Sequence, residues 1–325
     1  MKHFAHTHRN IAALSAGAIL CLSLAACGGG GGGTAAASTQ TQVSNGTLAT
    51  PQYAPGSPEL AAFNQLNSMR QQCGFPALSE NTLLDKAAAN HLTYMQDNDY
   101  FAHAEVAGNP GFTGANQQIR AAAVGYADIG GNVDETIYPS SSNIGGALSV
   151  TGLASMPYHE AALFAPTTDF GMDYGTVSTY YVAEILNGYQ SLVPALANAP
   201  LTYPCAGTTG VDFESAGSGE NPTPTINGTA VSFPIGTPIT VIGNTGDLIT
   251  LSSGQLADPN GNLIAMDLLD STNDSTHDLA ANAAEAFPTS PLQPNTTYVA
   301  TLVGADNGNT FTRQFSFTTG SQGQF

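Results

Sequence analysis

The sequence predicts an α+β domain followed by an all-β sandwich. Three observations carry this expectation. Within residues 57–206, apolar residues first recur at helical spacing and later fall in alternating or continuous runs. Composition then turns to Gly, Ser, Thr, Glu and Pro after Cys205. Beyond residue 224, short strand-like runs follow one another with Gly, Asn and Pro at the breaks.

Order is expected to begin at Ser57-Pro58-Glu59, a capping serine, a proline at the first helical position and an acid in the first turn. Leu60, Phe63, Leu66 and Met69 continue that helix to Cys73-Gly74. A second helix is predicted over 80–95, with Leu83, Leu84, Ala87, His91, Leu92 and Met95 on one side. A third spans 115–124 and ends at Gly125. The runs 170–174 and 180–186 read as strands. In the second domain, 231–233, 239–242, 248–251, 263–269, 298–303 and 311–318 read as strands. The intervening 207–224 reads as a linker, so the domains are set at 57–206 and 225–320.

The N-terminus has the plan of an export signal. Lys2 and Arg9 precede an apolar run from Ile11 to Leu24, too short for a stable membrane span. Leu24-Ala25-Ala26-Cys27 resembles the lipobox of bacterial lipoproteins, which implies removal of residues 1–26 and lipidation of Cys27. The glycine run 28–33 opens a flexible tether reaching residue 56. Gly28 offers no inner-membrane retention signal, which favours the outer membrane. Cys21 leaves with the leader, and an exported chain then keeps Cys73 and Cys205, for which a disulfide is the economical reading.

Charge narrows the function classes. The chain carries −18 formally, and beyond the leader only Arg70, Lys86, Arg120 and Arg313 oppose 24 acids. Without clustered Lys and Arg, nucleic acid and anionic lipid surfaces are not expected partners. There is no Gly-x-Ser-x-Gly elbow, no His-Glu-x-x-His and no phosphate loop, and Ser155 beside His159 on one short segment is not a triad. His91, on an apolar helix face, reads as a hydrogen-bonded core residue, and His277 beside Asp278 as solvated.

A succession of short motifs gives a more specific signal. Asn67-Ser68-Met69-Arg70 is followed by Gly74 to Leu78, the helix from Leu83 to Met95, and Phe101-Ala102-His103. Arg120, Gly125-Tyr126, Gly130 to Val133, Ser155-Met156-Pro157-Tyr158-His159 and Phe170 to Gly175 come next. In this order they resemble the bacterial CAP (SCP-like) superfamily, which implies an α-β-α sandwich. Two departures stand out: Gly131 occupies the place of the family's Gly-Glu-Asn glutamate, and Glu160 that of the arginine that often follows the second histidine. The ending Leu292 to Tyr298, then Phe315 to Thr319, resembles bacterial Ig-like modules.

Spacing alone would leave His103 and His159 as unrelated polar residues, since nothing in it makes positions so far apart meet. The family resemblance implies that they share a cleft with one or two acids, for which Glu184 and Glu135 are the candidates. Imidazoles with carboxylates suit a weakly bound divalent metal such as zinc, with His103 and His159 as ligands. The function expected is a lipid-anchored envelope binding protein, taking a small hydrophobic molecule or an envelope or host protein. The alternative is a metal-dependent hydrolase acting on peptide or cell-wall substrates, which would need an acid to replace the missing glutamate.

Overall fold

A computed structural model describes residues 46–128, 133–215, 220–321 and 323. The expected lipidation site Cys27 and the Gly131 position lie outside these residues.

The first helix, α1 (Pro58–Gln72), starts as its sequence dictates. Ser57 Oγ accepts from Leu60 N at 3.1 Å, and Pro58 takes the position whose N–H would have no helical partner. Its buried side, Ala62, Phe63, Leu66 and Met69, faces the core. The Asn-x-x-Arg pattern has a structural reason. Asn67 exchanges two hydrogen bonds with the backbone of Leu78. Fully buried Arg70 donates to the carbonyls of Pro76, Leu163, Ala165 and Thr167. Together they pin the 74–78 turn and the end of a helix nearly a hundred residues away.

Further along come β1 (Ser79–Glu80), α2 (Thr82–Asn98), α3 (Gln117–Ala123), β2 (Asp134–Ser140), α4 (Gly145–Leu153), α5 (Pro157–Phe164), β3 (Asp169–Val177) and β4 (Tyr180–Gly188). The four strands form one sheet in the order β1-β3-β4-β2, parallel only between β1 and β3. Strand alternation loads both faces. Ala183 and Ile185 join the core with α1, α4 and α5, whereas Val182 and Leu186 join apolar clusters with α2 and α3. The result is the expected α-β-α sandwich. Gly171 lets α2 lie directly on the sheet, because a Cβ there would stand 2.4 Å from the Leu84–Asp85 backbone.

The C-terminal region is all β, as expected. One sheet runs β11-β10-β14-β15-β6, built from β6 (Thr209–Val211), β10 (Ile249–Ala257), β11 (Leu263–Ile264), β14 (Thr297–Asp306) and β15 (Asn309–Thr319). The second runs β12-β13-β9-β5, from β5 (Leu201–Tyr203), β9 (Ile239–Ile242), β12 (Met266–Asp270) and β13 (Ala283–Pro288). A small ribbon pairs β7 (Thr225–Ile226) with β8 (Thr229–Ala230). Residues 231–233 do not form the expected strand, and Pro234 behind them has no N–H for a ladder.

Residues 207–224, expected as a plain linker, differ from that reading. They contribute β6, parallel to β15, and bury Thr208, Val211, Ser215 and Glu220. Ser215 and Ile235 exchange backbone hydrogen bonds at 2.9 and 3.0 Å. A polar composition that looks open in sequence is satisfied here by backbone pairing, which composition does not record. Cys73 and Cys205 form a disulfide with Cα atoms 5.4 Å apart, tying the end of α1 to the turn between β5 and β6.

The two lobes meet where α5 packs on β9 and β13, and one apolar cluster runs through both. That junction also holds fully buried acids. Glu160 Oε1 accepts from Thr240 N at 3.0 Å, and Glu285 lies opposite Thr240 in the β9–β13 register. Burial first, then the Glu285 charge, pushes the Glu160 carboxyl well up. Burial also raises Glu285, with Thr240 opposing and Glu220 adding to the rise. An acid raised in the folded state gives its full stability below its ordinary value of 4.5 and loses it as pH climbs. Glu285→Gln is therefore expected to stabilise the chain by about 1–3 kcal/mol at pH 7–8 and to change little near pH 4. Urea unfolding at both pH values checks this, and a variant less stable than the parent at pH 8 contradicts it.

Candidate functional site

The site is built from the loop after α2 upward. Asp99 ends α2 in the left-handed region, φ 50°, and turns the chain toward Phe101-Ala102-His103. Glu105 holds the loop by accepting from Gly114 N and Thr113 Oγ1, both at 3.0 Å, and by facing His91 Nδ1 at 3.1 Å. His91 Nε2 faces the Ala102 carbonyl at 2.8 Å. His91 is thus a buried clamp with both nitrogens engaged, matching its reading as a core histidine.

Arg120 on α3, 1% exposed, is the hub. It donates through Nη2 to Glu135 Oε1 and through Nη1 to the His103 carbonyl at 2.9 Å, while Nε stands 3.9 Å from Glu105 Oε1. Glu135, near the start of β2, takes His103 Nδ1 on its other oxygen at 2.8 Å. Burial would raise Glu135, yet the His103 hydrogen bond and the Arg120 charge hold it down to about 2. The Nδ1 contact leaves Nε2 as the His103 nitrogen available to the cleft, and the side chain is 39% exposed. Of the two candidate acids, Glu135 therefore does reach the first histidine.

His159 sits on α5, which Pro157 starts, and its ring centroid is 6.3 Å from that of His103. Its Nδ1 is 3.3 Å from Glu220 Oε1, outside hydrogen-bonding geometry. The Tyr158 hydroxyl donates to Asp274 Oδ1 at 2.7 Å and so ties α5 to the second lobe. Between the lobes lies a cleft of about 510 Å³, with His103, Glu135 and His159 on one side and Asn221, Pro222 and Asp278 on the other.

Glu184 is placed differently from the expectation of a cleft acid. It shares the α2-facing side of β4 with Val182 and Leu186, is fully buried, and lies behind Glu135. Burial, then the Glu135 charge, pushes its carboxyl well up, so it is held neutral. Arg120, Glu105 and Glu220 were not read as site residues. Arg120 had one usable signal, a rare cation in a chain with so few.

Two imidazoles in one cleft supply half of a tetrahedral zinc site. Both Glu135 oxygens, however, are taken by His103 and Arg120, and the guanidinium opposes a second cation beside it. His91, Glu135 and Glu184 offer atoms within 4.8 Å of one another, but His91 has no nitrogen to spare. The described residues do not fit a resident zinc ion.

Residues 63–175 match the family model of CAP, the cysteine-rich secretory protein family. The chain carries a CAP domain. Among solved structures, it is similar to an outer surface protein from Borrelia burgdorferi, at 15% identity and TM-score 0.34 over 40% of this chain and 90% of that one. It is also similar to an extracellular protein containing a SCP domain from Bacillus anthracis str. Ames, at 20% identity and TM-score 0.32 over 40% of each chain. No curated protein matches it. In this CAP domain the aromatic-x-His and Pro-x-His segments deliver His103 and His159 to one cleft, and Glu135 lies beside the first. No described helix is long and apolar enough to cross a membrane.

Proposed function

We propose that the protein is an exported binding protein, tethered to the outer membrane through Cys27, whose CAP cleft holds a small ligand against His103 and His159. The observation that carries this reading is the cleft itself, a concave space of about 510 Å³ within the range typical of small-molecule sites. The match to a family of secretory proteins agrees with export, as does the Cys73–Cys205 disulfide. Binding is favoured over hydrolysis by the state of Glu135. A carboxylate held near 2 by Arg120 and His103 is a weak general base at neutral pH. Glu184, held neutral, is buried behind it.

One series tests both parts. Cys27→Ala is expected to move the full chain from the membrane fraction to the soluble fraction or to stall its processing. The released protein is then titrated with small neutral, anionic and cationic fragments while the imidazole resonances of His103 and His159 are followed. At least one class should shift both rings together, saturably. Unchanged membrane association removes the tether. Histidine resonances that no fragment moves, or peptide or cell-wall hydrolysis that disappears in His103→Gln, remove the binding reading.

A further inference from the structure

The cleft brings together acids, two histidines and aromatic rings, and no Lys or Arg lines it. Asp134, Glu135 and Asp278 line it, and so do Tyr100, Phe101 and Tyr158. Of the four Lys and Arg side chains beyond the leader, Arg120 alone bears on the cleft, through Glu135. Arg70 is spent on backbone carbonyls, and Arg120 on Glu135 and the His103 carbonyl. Arg313 donates to the carbonyls of Pro200 and Asn198, and Lys86 on α2 does not line the cleft. Arg120 balances the Glu135 charge and burial pushes the Asp134 carboxyl up to about 7, which leaves exposed Asp278 as the acid that a ligand meets in the cleft.

Tyr100 is 57% exposed and lines the cleft, whereas Phe101 and Tyr158 are half-buried. Phe101 is braced by an edge-on contact with Tyr180, centroids 5.5 Å apart at 90°. An aromatic face attracts a cation by about 0.5–2 kcal/mol, most strongly where water is excluded. His159 lines the cleft and is 5% exposed. It faces Glu220 Oε1 through Nδ1 at 3.3 Å and adds a second buried acid to the floor of the cleft. Beside it, buried Glu220 keeps Oε2 as an acceptor without a donor.

We propose that the cleft selects a small organic cation, a substituted ammonium compound carrying an apolar or aromatic group. This rests on the cleft being a small-ligand site and names the chemistry of what fills it. The apolar part packs against Phe101 and Tyr158, and the ammonium group lies over Tyr100 within reach of the Asp278 charge.

The test uses the full chain carrying Cys27→Ala and three probes of one shape: benzyltrimethylammonium, its neutral carbon isostere neopentylbenzene, and the anion benzylsulfonate. Calorimetry in low salt is expected to show saturable one-site binding of the cation and at least about tenfold weaker binding of the other two. Asp278 and Tyr100 are both exposed, so replacing them leaves the fold in place. Asp278→Lys should weaken the cation about five- to tenfold, Asp278→Asn less, and Tyr100→Ala more than Tyr100→Phe. If the neutral or anionic probe binds as tightly as the cation, or Asp278→Lys changes nothing, the charge selectivity falls while the binding reading stands. If no probe of any charge binds, both fall.

Discussion

Replacing Arg120 by methionine is expected to cost about 3–5 kcal/mol of folding stability, the penalty for removing one partner of a buried ion pair. The guanidinium is fully buried and faces Glu135 directly and Glu105 at 3.9 Å, so its loss leaves two carboxylates without their cation. The pH dependence has a definite sign. Glu135 falls from an ordinary 4.5 to about 2 on folding, so its contribution is present above 4.5 and is lost as pH drops from 4.5 toward 2. That acid-side loss, up to about 3 kcal/mol in the parent, should shrink in Arg120→Met as Glu135 returns toward the usual range. Adding Glu135→Gln to Arg120→Met should recover part of the stability, because the uncompensated charge is then gone. Urea unfolding at pH 7 and pH 3 reads both effects. A loss under about 1 kcal/mol at pH 7 would show that Arg120 is not the hub described here.

Opening the Cys73–Cys205 disulfide is the second large effect expected. The bond spans a sequence separation of 132 residues, and on the chain-entropy model closing so long a loop stabilises by about 4–5 kcal/mol. Cys73→Ser with Cys205→Ser should therefore lower the melting temperature by about 10 °C or more, given the shift per kcal/mol usual for chains of this size. The native surroundings tolerate the change, since Thr208 Oγ1 lies 3.7 Å from one sulfur and 3.4 Å from the other and can pair with a serine hydroxyl. Reductant added to the parent should reproduce the drop. Equal melting temperatures with and without the bond would mean that the β5–β9 and β6–β15 pairings already hold this junction without it.

How much was legible in the sequence depended on the range of the interactions. α1 and α2 were readable because their caps and apolar stripes are local, and Ser57, Pro58 and the spacing from Leu60 to Met69 act within one helix. α4 was missed because Gly145 to Leu153 are mostly small residues without a strong stripe, and β13 because Ala283, Ala284 and Ala286 carry no strand signal of their own. These segments take their form from the neighbours they pack against.

The residues alone determined the scarcity of cations, the two long helices, the pair of cysteines free to join and the ordered CAP-like motifs around His103 and His159. Only tertiary structure decided that Glu135 reaches His103, that Arg120 ties both to Glu105, and that Glu184 is a neutral acid behind the cleft. It also decided that Asn221, Pro222 and Asp278 of the second lobe wall the cleft, and that Glu160 faces Glu285 across the lobe junction. The physical reason is distance along the chain. A cap or a stripe is selected by residues three or four positions apart, whereas the partner of a buried charge is whichever group the sheet register and lobe packing bring within a few ångströms.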